Sequence, residues 1–181
     1  MKIFLPLVLA VAASAQQQFN LAIPIRAVAQ DTSSPVAITW ISTEGGIFRS
    51  TDTNLDWRNV YVRPAGQAQP IVRFIHIAPD NPRVIYLVSN LDSGGVWKSE
   101  DGGTTWKQAN SGLPAAGVID AFIALPAAPL TIYAKVDNQI YKTTDGAATW
   151  TLRSRLPLDT AIFEVNRATP AMMYAVVKST V

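Results

Sequence analysis

The chain has 181 residues, 49% of them hydrophobic and 15% charged, with a formal net charge of +2. That composition fills the core of one domain and excludes a charged disordered tail or a concentrated basic face for nucleic acid. The absence of cysteine excludes disulfides and thiolate-bound metals, and a single histidine argues against a histidine-rich metal centre, so no metal or cofactor is expected.

Met1-Lys2 opens the chain with one positive charge, and residues 3–11 are almost wholly apolar. Ala13-Ser14-Ala15 follows as an A-x-A cleavage site. Residues 1–15 are therefore expected to be a secretory signal peptide cleaved after Ala15. The apolar run is shorter than the roughly 20 residues that span a bilayer, and no second run is long enough. The product is expected to be secreted or periplasmic and not membrane-spanning.

The remainder repeats itself. Ile47-Phe48-Arg49-Ser50-Thr51-Asp52, Val96-Trp97-Lys98-Ser99-Glu100-Asp101 and Ile140-Tyr141-Lys142-Thr143-Thr144-Asp145 align without gaps. Trp57, Trp106 and Trp150 stand at the same distance beyond each aspartate. A second landmark, a proline four residues before an aromatic, recurs as Pro82 and Tyr86, Pro129 and Tyr133, and Pro170 and Tyr174, with a weaker copy at Pro35 before Thr39 and Trp40. Both landmarks share a period of roughly 40–50 residues.

Each period reads as four short strands. A strand is conceivable at 21–28, inside a first unit at 19–70. The unit at 71–117 predicts strands at 72–77, 84–89, 96–99 and 105–108. Ala78-Pro79-Asp80-Asn81-Pro82 is a turn cluster between the first two, and Asp101-Gly102-Gly103 makes a tight turn before the last. The unit at 118–160 predicts strands at 121–125, 131–136, 139–143 and 149–153. A partial unit at 161–181 predicts two strands, at 162–166 and 172–177. No segment beyond the signal has a helical period. Four strands per repeat is the pattern of a β-propeller blade.

Ser99-Glu100-Asp101-Gly102-Gly103-Thr104-Thr105-Trp106 resembles the Asp-box, or BNR, repeat S/T-x-D-x-G-x-x-W at every position. The copy with Thr143, Asp145 and Trp150 departs at Ala147, where a somewhat different turn is expected. The copy with Ser50, Asp52 and Trp57 departs at Asn54, a residue that tolerates positive φ. The resemblance implies an all-β propeller of four-stranded antiparallel blades. Its family includes sortilin-type receptors, a photosystem II assembly factor, sialidases and xyloglucan-active endoglucanases. Asp52, Asp101 and Asp145 are expected to be structural: a carboxylate in a tight turn accepts backbone N–H groups, the Ser or Thr hydroxyl adds another bond, and the Trp covers its own turn. In such propellers the boxes sit away from the active face.

Few residues stand out for chemistry. Arg26, Arg73 and Arg167 invite comparison with the three arginines by which sialidases bind a sugar carboxylate, and Arg73 and Arg167 lie beside first strands that line a propeller channel. Glu44, before Gly45-Gly46, resembles the catalytic segment of Asp-box xyloglucanases in which an Asp, here replaced by Glu, precedes Gly-Gly and an aromatic, with a hairpin-turn residue as the plainer reading. Trp40 is a candidate exposed ligand-binding aromatic. His76 reads as a strand histidine. The loop at 90–95 lacks the spacing of a calcium loop and the lysine of a phosphate loop.

About three and a half blades are visible, where a closed ring needs roughly 4–8. The chain is therefore expected to be a fragment or truncated product, or to self-assemble if it is complete. The expected function is a non-catalytic exported module that holds a protein or glycan, with a remnant of a xyloglucanase- or sialidase-like glycoside hydrolase as the alternative.

Overall fold

The structure, a computed structural model, describes residues 24–31, 37–44, 46–51, 57–60, 71–157, 160–165 and 173–177. The signal segment, Asp52, Asn54 and Arg167 lie outside these residues. Three four-stranded antiparallel sheets follow one another along the chain. The first holds β1 (Ala27–Asp31), β2 (Ile38–Thr43), β3 (Gly46–Ser50) and β4 (Trp57–Asn59). The second holds β5 (Phe74–Ala78), β6 (Asn81–Val88), β7 (Val96–Ser99) and β8 (Lys107–Gln108). The third holds β9 (Ile119–Leu125), β10 (Ala128–Val136), β11 (Gln139–Thr143) and β12 (Thr151–Arg155). A two-stranded sheet, β13 (Thr160–Val165) and β14 (Met173–Val177), follows. The fold is a partial β-propeller. Among the described residues the only helical element is a 3-10 turn at Leu91–Ser93, and no helix is long and apolar enough to cross a membrane.

Successive sheets pack face to face. In β6, Ile85 and Leu87 turn toward the first sheet, joining Trp40, Ile47, Val72 and Ile75. Tyr86 and Val88 turn the opposite way, toward Ile132, Ala134 and Val136 of β10. A strand covered on both faces needs apolar residues at consecutive positions, which is why Val84 to Val88 does not alternate with polar residues. Ile85 and Leu87 are fully buried, each stabilising the fold by about 1.5–3 kcal/mol.

The turn cluster before β6 is tighter than its sequence predicts. Only residues 79–80 form the turn, and Asn81 and Pro82 already belong to the strand. The ladder shifts register there, between Ile77 and Ala78, and does so again near Pro129. A proline is tolerated at such a strand start because the ladder does not need its missing N–H.

The aromatic of each second strand pairs across to the cation of the third: Trp40 with Arg49, Tyr86 with Lys98, Tyr133 with Lys142. In all three pairs the cation lies over the ring, 5.5, 6.0 and 5.6 Å from its centroid. Trp40 is 2% exposed. This corrects its reading as an exposed binding aromatic: β2 is an inner strand, and the second sheet covers the indole.

Candidate functional site

The two ends of the sheets differ in chemistry. At one end lie the turns that carry the repeated aspartates. Asp101 Oδ1 accepts the N–H groups of Thr104 (3.0 Å) and Thr105 (2.9 Å) and the Ser99 hydroxyl (2.8 Å), while Oδ2 accepts the Thr105 hydroxyl (2.7 Å). Ser99 Oγ in turn accepts the Gly103 N–H at 2.8 Å. Asp145 repeats the arrangement with the Thr143 hydroxyl (2.6 Å), the Thr149 N–H (2.9 Å) and the Thr149 hydroxyl (2.5 Å). These donors hold both carboxyls well below the usual carboxylate range, led by the Thr105 N–H for Asp101 and by the Thr143 hydroxyl for Asp145.

Ala147 does not produce a different turn. It adopts φ +70°, close to the +87° of Gly103, and donates to Thr143 Oγ1 at 3.2 Å as Gly103 does to Ser99. The methyl is fully buried, so packing holds the alanine in a region it would otherwise avoid.

The tryptophans do more than cover their own turns. Trp106 donates Nε1–H to the carbonyl of Val60 (3.3 Å), and Trp150 to that of Ala109 (2.8 Å), residues just beyond the outermost strand of the preceding sheet. Trp106 also meets Trp40 edge-on at 6.3 Å. The turn backbone is bound backwards as well: Gly102 O accepts from Arg49, and Gly146 O from Tyr86. These turns therefore fasten one sheet to the next. In the first copy, Ser50 is buried at the end of β3 and Trp57 begins β4.

At the opposite end the innermost strands begin. Arg26 and Arg73 stand one residue before β1 and β5, and each donates its backbone N–H to the end of the neighbouring strand, at Ser42 O (2.9 Å) and Val88 O (2.7 Å). Both side chains reach the turn after the second strand. Arg26 ion-pairs with Glu44, which is 59% exposed, and Arg73 donates to Asn90 Oδ1 at 3.2 Å. Ser42 Oγ donates to Val72 O at 3.0 Å, tying the two sheets together here. The structure thus groups Glu44 and Arg73 at one end and leaves Trp40 in the core. Asp120 lies at this end of the third sheet and binds Lys135 Nζ at 2.6 Å, a pair of a buried lysine and a more exposed carboxylate that sequence reading missed.

The loop at 90–95 is a rigid strand connection. Gly95 N–H returns to Asn90 O, and Asn110 clamps it by accepting from Val96 N–H and donating to Gly94 O. His76 packs on the rings of Tyr86 and Phe122, with centroids 6.1 and 6.2 Å away, between the second and third sheets.

No protein-family model matches the chain. It is 29% identical, over an alignment of 139 residues, to the xyloglucanase Xgh74A of Acetivibrio thermocellus; the match covers 61% of this chain and 16% of that enzyme. Its fold is similar to that of an ancestral GH74 enzyme, at 19% identity and a TM-score of 0.58 over 77% of this chain and 19% of the other. The GH74 enzyme of Niastella koreensis gives 17% identity and a TM-score of 0.59, over 76% and 23%. YCF48 bound to a D1 peptide gives 17% and 0.50, over 72% and 39%. The chain spans well under half the length of each of these proteins, and at such identities the structural likeness is one of fold.

Proposed function

We propose that this chain is an exported Asp-box propeller module that holds a glycan or protein ligand at the end where its innermost strands begin, without cleaving it. The observation that carries the reading is the exposed group of Arg26, Glu44, Arg73 and Asn90, set on the rigid starts and ends of strands in two bonded sheets. Such placement suits recognition, because rigid strands fix the side chains that meet a ligand. The opposite end is occupied by the turns that fasten the sheets. Their fit to the Asp-box pattern makes Asp101 and Asp145 structural residues on this reading, and Asp52 by analogy. The xyloglucanase relative supports a glycan, and the peptide bound to YCF48 supports a protein.

A glycoside hydrolase remnant is the second reading, favoured by the 29% identity to Xgh74A. A glycosidase needs one carboxyl kept protonated in an apolar site and a second about 5–5.5 or 6.5–9.5 Å away. Glu44 instead faces solvent and is engaged by Arg26. The deciding experiment titrates the purified chain with xyloglucan oligosaccharides by calorimetry while sugar release is followed. Binding without release, weakened about tenfold by Arg73→Ala, supports the module. Release that Glu44→Gln abolishes establishes the enzyme. If neither occurs, the glycan arm is refuted and a protein ligand is left. Export predicts a secreted or periplasmic product that begins at Gln16.

A further inference from the structure

Asp-Gly occurs at two places in the whole sequence, 101–102 and 145–146, and both lie in the turns that fasten the sheets. An aspartate before glycine is chemically labile. The glycine nitrogen attacks the aspartate Cγ, the new C–N bond closes a five-membered succinimide, and a carboxyl oxygen leaves as water with the amide proton. Water then reopens the ring. Breaking the bond to Cγ restores aspartate, whereas breaking the bond to the main-chain carbonyl leaves the chain running through Cγ as isoaspartate, with no net change in mass. Glycine favours the attack because no Cβ hinders its nitrogen.

We propose that Asp101 and Asp145 are the sites at which this protein forms isoaspartate, that their bonded turns hold the reaction back, and that Asp101 converts first. The two reacting atoms are drawn apart. Asp101 Oδ1 is turned forward onto the N–H groups of Thr104 and Thr105, and Asp145 Oδ1 onto that of Thr149. The glycine nitrogens are turned back: Gly102 N–H donates to Arg83 O at 2.9 Å and Gly146 N–H to Leu130 O at 3.0 Å. Attack therefore requires the turn to open, and the rate is set by how often it does. The two turns differ in what opening must break. Gly102 is half-buried, with open space where a Cβ would stand, and its carbonyl is held by Arg49 Nη1 at 3.1 Å. Gly146 is buried: a Cβ there would lie 3.1 Å from Leu130 Cδ2, 3.4 Å from Tyr86 Oη and 3.5 Å from Lys98 Nζ. Opening at Gly146 must disturb this packing as well as the Tyr86 bond to its carbonyl. Isoaspartate adds one atom to the main chain and shortens the side chain, so the carboxylate no longer reaches its donors. Each conversion thus loosens one sheet interface, a chemical limit on the lifetime of the array that is independent of any ligand.

The test stores the whole chain folded at neutral pH and, in parallel, in concentrated guanidinium chloride. Peptides from both are separated by chromatography, and isoaspartate is located by fragmentation. Unfolded, both sites should convert at similar rates. In the fold both should be at least about 100-fold slower, an opening cost of about 2.8 kcal/mol, with Asp101 ahead. Tyr86→Phe frees Gly146 O and should speed Asp145 about tenfold while leaving Asp101 unchanged. Arg49→Met is the reciprocal variant and should speed Asp101 alone. Conversion in the fold at the unfolded rate overturns the proposal, as does first conversion at another aspartate or asparagine, or at Asp145 before Asp101. Equal acceleration of both sites by either variant would also overturn it, because unfolding of the whole chain, and not the opening of one turn, would then control the reaction.

Discussion

Trp40 faces Gly103 across the first interface, and Tyr86 shares a core with Ala147 across the second, which makes the repeat its own experiment. A Cβ added at Gly103 would lie 2.2 Å from Trp40 Cη2 and 2.9 Å from Cζ3. The indole cannot swing clear, because it is 2% exposed and wedged between Arg49 and Trp106. Overpacking of this kind costs about 1–3 kcal/mol, and the left-handed φ of +87° costs a non-glycine residue about 1–2 kcal/mol more. Gly103→Ala should therefore destabilise the protein by roughly 2–5 kcal/mol. Ala147→Gly relieves about 1–2 kcal/mol of backbone strain. It loses a buried methyl, about 0.8 kcal/mol, and loosens the unfolded chain by about 0.4–1 kcal/mol. Its net effect should fall within about 1 kcal/mol of zero. Urea unfolding at equilibrium measures both. The cause is tested by Trp40→Tyr, which copies the second interface: in that background Gly103→Ala should cost only the backbone term, about 1–2 kcal/mol. If Gly103→Ala costs the same with Trp40 or Tyr at position 40, the clash is not the reason and the complementarity argument fails.

Three more outcomes follow from the charges. Because Asp101 and Asp145 titrate below their ordinary range in the fold, their ionised forms stabilise it above about pH 4, and that contribution is lost as pH falls further. Asp101→Asn and Asp145→Asn should therefore lower the Tm at neutral pH, with the deficit closing in acid; a deficit independent of pH would contradict this. Tyr86 is pushed up to about 12 by burial, with Glu100, Asp80 and Asp145 adding repulsion. Its contribution is full below about pH 10 and is lost as pH climbs toward 12, so Tyr86→Phe should flatten the alkaline decline in Tm. Lys135 is almost fully buried against Asp120, whose side chain is 36% exposed. Asp120→Ala should cost about 1–3 kcal/mol by stranding the ammonium, while Lys135→Met should stay within about 1 kcal/mol of wild type, both read by urea unfolding.

The strands were legible where turn residues bound an apolar run. The spans Val96–Ser99 and Gln139–Thr143 emerge from the sequence at their observed limits. The bonding of Asp101 inside its turn was also legible, because its donors lie within four residues of it. The targets of the tryptophans were not: Trp106 and Trp150 bond carbonyls 46 and 41 residues away, a distance at which local chemistry carries no signal. Trp40 was misread although its cue was present. It occupies the landmark position of Tyr86 and Tyr133, and a position that is aromatic in every repeat of a stacked array faces the next repeat. The pairs Arg26–Glu44 and Lys135–Asp120 depend on sheet register, which composition does not determine.

The division of labour between the two ends follows from how such an array holds together. A repeat that contacts only its neighbours is stabilised through interfaces, so the residues that recur in every copy are those that build interfaces. Here they are the cation over the aromatic, the carboxylate-closed turn and the tryptophan that reaches back. Residues that serve a ligand need not recur, because a ligand contacts one place only. The chemistry particular to this chain should accordingly lie where equivalent positions differ. Arg26 and Arg73 are matched in the third sheet by Asp120, and Arg83 is matched by Leu130. Breaks in the repeat, read against the repeat itself, therefore identify the places where this chain departs from what holding a propeller together requires.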